Sequence, residues 1–380
     1  LQIKLDNGKK KVFKKMMAPV PNTRSTTNKC CTICIKAVKW LPVLFIVTIM
    51  VWSYYAYVVQ LCFLTVPSNF ERAIYLVIYH LLFAMFCWSY WQTIFTDIGR
   101  VPSKFKIPDS EMEKLLAAEN EEAQRRLLEI FSQELPIYNR TISGAIRYCD
   151  RCVHVKPDRT HHCSVCGTCV LKMDHHCPWV NNCVSFYNYK YFILFLGYAL
   201  MYCVYIALSS MQYFVIFWKG ELEGMGRFHI LFLFFVALMF AISLVSFFGY
   251  HVYLVMQNRS TLEAFRAPIF RSGTDKNGFS LGRYNNFQEV FGDNPKTWLL
   301  PIFTSLGDGS EFPVSGIHQQ PTLNHYHTYH SMGTTRSSMG DGVTYPQRHI
   351  EEDSELLLGS DQWADHPPFS SASASLLYDN

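Results

Sequence analysis

Four stretches of this chain contain no Asp, Glu, Lys or Arg and are dominated by apolar residues: 40–70, 73–96, 191–218 and 228–258. Each exceeds the roughly 20 residues that a helix needs to cross about 30 Å of hydrocarbon. Inside lipid only the chain itself can satisfy backbone donors and acceptors, so the pattern predicts four transmembrane helices. The polar segments then predict orientation. The first 39 residues carry ten Lys and Arg, the segment 96–190 carries thirteen and the region after Asn258 carries eight. The two remaining loops hold one (Arg72) and two (Lys219, Arg227). Excess basic charge marks the cytosolic side, which places both termini and the long central segment there. Trp40, Trp91, Phe217 and Trp218 near the span ends fit an interfacial aromatic belt.

The intervening sequence divides into a basic N-terminus (1–39), spans one and two (40–98), a linker (99–146), a cysteine-rich domain (147–190), spans three and four (191–258), a C-terminal domain (259–313) and a tail (314–380). Within the linker, Ser110-x-x-Glu113 resembles a capping box. Leu115, Leu116, Ala123, Leu127, Leu128 and Phe131 supply an apolar face, and Pro136 marks a stop, so one helix is expected over 110–133. The tail is poor in aliphatics and reads as disordered, with Glu352-Asp353-Ser354-Glu355-Leu356-Leu357 resembling an acidic dileucine sorting signal. Lys9-Lys10-Lys11 with Lys14-Lys15 suit anionic headgroups. No short apolar stretch with a small-residue cleavage site follows them, so the first span is expected to insert as a signal anchor. Met16-Met17 ahead of Ala18-Pro19 is a candidate natural start. Cys30, Cys31 and Cys34, just before the first span, are candidates for S-acylation.

Composition changes this picture little. The 49% apolar fraction is bunched into the spans, and a formal charge of +4 gives no support to nucleic-acid binding. Chemistry concentrates in residues 149–183, which hold seven of the thirteen cysteines and five histidines. Structural zinc prefers a tetrahedron of soft ligands, commonly three cysteines and one histidine. Disulfides are the competing use, but seven is odd and cytosolic thiols stay reduced. Pairing by spacing gives Cys149, Cys152, His162 and Cys169 for one zinc, with Cys163, Cys166, His176 and Cys183 for the other. Cys177 is then left unligated beside His175 and Asp174. A thiolate is a nucleophile, a neighbouring imidazole can take its proton, and a carboxylate can orient that imidazole. The competing reading makes Cys177 a ligand and His175 an outer support.

These residues match a family. Cys149-Asp150-Arg151-Cys152, Lys156-Pro157-Asp158-Arg159, His161-His162-Cys163-Ser164-Val165-Cys166 and Asp174-His175-His176-Cys177-Pro178-Trp179-Val180-Asn181-Asn182-Cys183 together resemble the cysteine-rich domain of the DHHC-type protein S-acyltransferases, the palmitoyltransferases. Ser260-Thr261-Leu262-Glu263 is similar to the family's Thr-Thr-x-Glu motif, and Asn286 with Val290-Phe291-Gly292 to its C-terminal element. Trp52-Ser53-Tyr54-Tyr55-Ala56-Tyr57 and Asn277-Gly278-Phe279-Ser280-Leu281-Gly282 look most like the subgroup of the cell surface and endosomes, so Golgi, endosomal or plasma membranes are the expected location.

The resemblance implies an all-α integral membrane enzyme of four spans whose cytosolic domain binds two structural zinc ions. Cys177 would accept an acyl group from acyl-CoA, typically palmitoyl-CoA, and pass it to cysteines of membrane-associated proteins. His175 would be the base, Asp174 would polarise it and Thr261 would support the site. Lys156, His161, His162, Cys163 and Ser164 fall where the family contacts CoA. Basic residues near Cys177, namely Lys156, Arg159, Lys172 and Lys190, are expected to neutralise its phosphates. An apolar tail would enter the bundle, with Trp179, Phe192 and Phe195 as candidate walls and Ser53 and Tyr202 as polar groups at the far end. Ordinary helix packing is the competing explanation for each of these.

Two departures stand out. Ser185 occupies a position where the family usually has Gly, which would strain a backbone of positive φ, and Ser260 replaces a Thr. Asn139-Arg140-Thr141 and Asn258-Arg259-Ser260 are sequons, but cytosolic placement argues against glycosylation. His80 is expected to be neutral and bonded within its helix. A non-catalytic zinc-binding membrane scaffold is the alternative of a different class. The absence of Asp, Glu, Lys and Arg from the spans argues against a transporter.

Overall fold

A computed structural model describes residues 29–220 and 226–315. The basic N-terminal stretch, the candidate start and the tail with its dileucine lie outside the described residues. Four helices are long and apolar enough to cross a membrane, over Ala37–Phe63, Asn69–Phe95, Tyr189–Trp218 and Gly226–Met256. The chain is thus a multi-pass membrane protein with a cysteine-rich module between its second and third spans, as the pattern predicts.

Span boundaries differ from the charge-free stretches in an instructive way. Helix α1 (Lys29–Tyr54) continues into a nine-residue π-helical segment, Tyr55–Phe63, and stops there. Ser68 then caps α2 (Asn69–Phe95), its hydroxyl accepting from the Glu71 amide at 3.4 Å. Phe70 therefore belongs to the second span, because a turn at Pro67-Ser68 needs no charge. Helix α5 (Tyr189–Trp218) is the central one: 61% of its apolar window is buried, against 28%, 22% and 28% for the others. It packs between α2 and α6 (Gly226–Met256).

The expected single helix over 110–133 is two, α3 (Asp109–Ala117) and α4 (Glu121–Phe131). Asn120 breaks it by capping α4, its side-chain oxygen accepting from the Ala123 amide at 2.8 Å. The capping box at Ser110 does not form, since α3 begins after Pro108 with no side-chain cap. Both helices pack on a small core with Phe105, Ile137, Ile146 and Val155.

Three short antiparallel hairpins build the cysteine-rich module: β1 (Tyr148–Cys149) with β2 (His154–Val155), β3 (His161–Cys163) with β4 (Thr168–Val170), and β5 (His175–Cys177) with β6 (Asn182–Val184). Strands of two or three residues bury too little to hold themselves. Asn182 and Asn188 dock the module on the second span: Asn182 Nδ2 donates to the carbonyls of Thr93, Ile94 and Thr96, and Asn188 Nδ2 to that of Thr93. After α6 come α7 (Thr261–Phe265), a hairpin of β7 (Ile269–Phe270) and β8 (Gly273–Thr274), and α8 (Arg283–Phe291). Asn286 ties α8 to the end of α6, donating to the Met256 carbonyl at 2.8 Å.

Candidate active site and metal clusters

The hairpins repeat with a period of fourteen residues. Cys149, Cys152, His162 and Cys169 bring their ligand atoms within 4.8 Å of one another, and so do Cys163, Cys166, His176 and Cys183, each fourteen residues further on. A tetrahedral zinc with Zn–S of about 2.3 Å and Zn–N of about 2.0 Å has S···N edges of about 3.5 Å. The observed contacts to His162 Nδ1 are 3.6, 3.3 and 3.9 Å, and those to His176 Nδ1 are 3.8, 3.5 and 3.5 Å. Three sulfurs around one imidazole nitrogen fit such an ion in both places.

One more period leads from Cys163 to Cys177, which like Cys149 and Cys163 ends the first strand of its hairpin. Its would-be partner is Val180, fully buried, so the third unit lacks a chelate. Among the described residues Cys177 joins no group of potential ligands. It is instead buried, at 6% exposure, two residues along β5 from His175 and so on the same face of that strand.

Asp174 Oδ2 accepts from His175 Nδ1 at 2.6 Å and from the Thr261 hydroxyl at 2.7 Å, while Oδ1 accepts from the Thr261 amide at 2.8 Å. Burial alone would raise the Asp174 pKa, but the hydrogen bonds from His175 and Thr261 and the His175 charge hold it below the ordinary carboxylate value. Burial would likewise lower that of His175, yet its bond to the Asp174 carboxylate and the nearby Cys177 sulfur outweigh it and raise the pKa to about 9. The result is an imidazole strongly disposed to take a proton. Ser260, in place of the family's Thr, keeps a complete capping box with Glu263 and so fixes the turn that presents Thr261.

A cavity of about 240 Å³ opens from Cys177 into the bundle, lined by Trp179, Phe192, Phe195, Ser53 and Tyr202 among apolar side chains of α1, α2, α5 and α6. Phe192 sits edge-on to His175 at 5.4 Å. Tyr202 lies ten residues further along α5, about 15 Å deeper, and there its hydroxyl meets Ser53 Oγ at 2.8 Å. The structure thus brings all five expected tail-contacting residues to one surface with the thiol.

On the polar side a cleft of about 620 Å³ is lined by Arg140, Arg147, Lys156, His161 and Arg266, with Glu263. Arg140 Nη1 and Asn139 Oδ1 are buried there without a hydrogen-bond partner. Only Lys156 and His161 of the expected CoA contacts line this cleft. His162 and Cys163 face the metal clusters, and Ser164 is exposed away from it.

Three expected phosphate partners have other work. Arg159 is fully buried, donating to both Glu263 oxygens at 2.8 and 2.7 Å and to Asn258 Oδ1 and O at 2.9 Å, with Phe279 and Phe312 stacked at 4.8 and 5.1 Å. Lys172 is buried beside Phe312, and Lys190 donates to Thr297 O and Thr304 Oγ1 at 2.8 and 2.7 Å. None can reach a solvent-side anion. Arg140, Arg147 and Arg266, which line the cleft, were not singled out in the sequence, although the first two lie just ahead of Cys149. His251 was also missed. It is buried near the C-terminal end of α6, with Nδ1 3.3 Å from the Tyr189 hydroxyl, and faces the Asp174–His175 pair. An ionisable residue so near the end of a span was the available signal.

Ser185 is unstrained, since its φ is not positive, but its buried hydroxyl has no partner. Ser185→Ala is expected to stabilise the protein by about 1 kcal/mol. Melting in detergent measures this, and a lower melting temperature would show that the hydroxyl is bonded. His80 is bonded within its helix as expected, with Nδ1 2.7 Å from the Leu76 carbonyl, and Nε2 lies 3.2 Å from the Tyr54 hydroxyl of α1.

Known proteins resemble this chain in sequence. The DHHC palmitoyltransferase family model matches residues 142–267. Palmitoyltransferase ZDHHC2 of Danio rerio is 52% identical over 333 residues, covering 87% of this chain and 91% of that protein. Palmitoyltransferase ZDHHC15 of Xenopus laevis is 54% identical over 282 residues (74% and 83%), and palmitoyltransferase ZDHHC20-A of Danio rerio 57% over 282 residues (74% and 79%). Such identity reaches well beyond the hairpins into spans and C-terminal elements, and with it the chain belongs to the DHHC palmitoyltransferase family.

Proposed function

We propose that this protein is a protein S-acyltransferase that takes a long-chain acyl group from acyl-CoA onto Cys177 and delivers it to cysteines of membrane-associated proteins. The observation that carries this is a buried thiol outside both metal clusters, on the same strand face as His175 and at the mouth of an apolar cavity. Cys177 Sγ attacks the acyl carbonyl, the bond to the CoA sulfur breaks, and His175 relays the proton from Cys177 to the departing thiolate. In the second half, a substrate cysteine gives its proton to His175 and attacks the same carbonyl, and the bond to Cys177 breaks. Asp174, held by Thr261, keeps the ring oriented through Nδ1, which leaves the other nitrogen for sulfur.

Burying a C16 chain is worth on the order of 10 kcal/mol at about 0.8 per methylene, so the cavity lined by Trp179, Phe192 and Phe195 dominates recognition of the tail. The cleft lined by Arg140, Arg147, Lys156 and Arg266 suits the CoA phosphates. Cys149, Cys152, His162 and Cys169 hold one zinc and Cys163, Cys166, His176 and Cys183 the other; the ions supply rigidity to hairpins too small to fold on a core. The lysine and arginine asymmetry supports cytosolic termini and a cytosolic module, in Golgi, endosomal or plasma membranes. Purified protein given palmitoyl-CoA is expected to gain one palmitoyl mass that hydroxylamine removes, while two zinc ions remain bound. Folded, zinc-loaded protein that gains no adduct would instead be a scaffold.

A further inference from the structure

The far end of the cavity is held by more than the two residues that line it. Ser53 Oγ donates to the Met50 carbonyl at 2.9 Å, which uses its one proton. In its 2.8 Å contact with Tyr202, Ser53 must therefore accept and Tyr202 donate. The Tyr202 proton is then committed, so at 2.7 Å the donor to Tyr202 is Tyr79. Hydroxyls of α2, α5 and α1 thus run in one direction, Tyr79 to Tyr202 to Ser53, and end on a backbone oxygen. Tyr79 is fully buried and lies behind the cavity wall, outside its lining. Its own ring is fixed between Tyr57, stacked at 4.4 Å and 7°, and Phe83 at 5.8 Å and 10°. Tyr57 is anchored in turn: Ser209 donates to the Tyr205 carbonyl at 2.7 Å, so Tyr57 donates to Ser209 at 2.8 Å.

We propose that Tyr79 is a specificity-determining residue that sets acyl-chain length from the second layer, by locking the Tyr202 ring across the end of the cavity. The proposal rests on the reading of that cavity as the acyl site. A chain longer than the cavity is admitted only if the Tyr202 ring swings aside. In the apolar interior of a span, that movement takes from the Tyr79 hydroxyl the Tyr202 acceptor it uses at 2.7 Å. Without the Tyr79 hydroxyl, Tyr202 keeps one bond to Ser53 instead of two and yields more easily.

Tyr79→Phe tests this, because it removes the hydroxyl and keeps both ring stacks. Equal mixtures of C16 and C18 acyl-CoA are offered to the full-length protein in detergent, and intact mass gives the ratio of acyl forms on Cys177. The C18:C16 ratio is expected to rise about fivefold, the equilibrium equivalent of one neutral hydrogen bond. Tyr202→Ala in parallel is expected to raise it further. A Tyr79→Phe protein with an unchanged ratio, or one that loses C16 and C18 acylation equally, overturns the proposal if Tyr202→Ala still shifts the ratio. If Tyr202→Ala leaves the ratio unchanged too, the cavity is not the acyl site, and both readings fall.

Discussion

His175→Ala is expected to slow acylation of Cys177 by roughly 10²–10⁴-fold, the range of a positioned general base, and Cys177→Ala to abolish the acyl-enzyme altogether. The two variants differ because one removes the proton acceptor and the other the atom that bonds carbon. At His175 the geometry asks for a specific loss. Its Nδ1 is committed to Asp174 at 2.6 Å, which leaves only its other nitrogen to serve the thiol in the proposed scheme. Asp174→Asn is expected to give a smaller loss than His175→Ala, because Thr261 would still hold the side chain while the charge that supports an imidazolium is gone. The measurement is the single-turnover rate of adduct formation by mass, with zinc content confirming that the hairpins persist. Acylation of zinc-loaded His175→Ala at the unaltered rate would remove the base from the scheme.

Arg159→Ala is expected to destabilise the protein by about 3–5 kcal/mol, the cost of leaving a buried charge without its partner. The guanidinium makes four hydrogen bonds, two of them to Glu263, whose carboxyl burial would otherwise push up in pKa and Arg159 holds down. Glu263 also closes the capping box under Thr261, so activity is expected to fall with stability. Arg159→Lys gives little rescue, since an ammonium cannot span both oxygens and Asn258 together. The double change Arg159→Met with Glu263→Gln, which removes both charges, is expected to recover part of the loss. Thermal melting in detergent reads this as a drop on the order of 10 °C for Arg159→Ala. A melting temperature within a degree or two of the unaltered protein would show that the pair contributes nothing.

How far the sequence alone reached depends on what each signal encodes. Ligand sets were legible because cysteine spacing is itself the geometry of a metal site, and the spare thiol followed by subtraction. Span number was legible because lipid imposes a length. The end of the first span was not, since the turn before Ser68 carries no charge. The break in the linker helix was hidden because Asn120 looks like any polar surface residue until its side chain is seen capping. The basic residues were the largest error. Arg159, Lys172 and Lys190 carry the right sign at the right place in the chain, but sign says nothing of whether a side chain points to solvent or to a buried carboxylate. Ser185 shows the converse: the expected backbone strain is absent, and the unexpected penalty is an unmet hydroxyl.

The fourteen-residue period has a chemical meaning. Sulfur at 149, 163 and 177 is one functional group at one place in three like hairpins, and only the company it keeps sets its fate. Two of the three have a second thiol three residues on, and in the proposed assignment they are occupied for the lifetime of the fold. In that assignment the third meets Val180 and stays exchangeable, and turnover arises from an unfinished chelate.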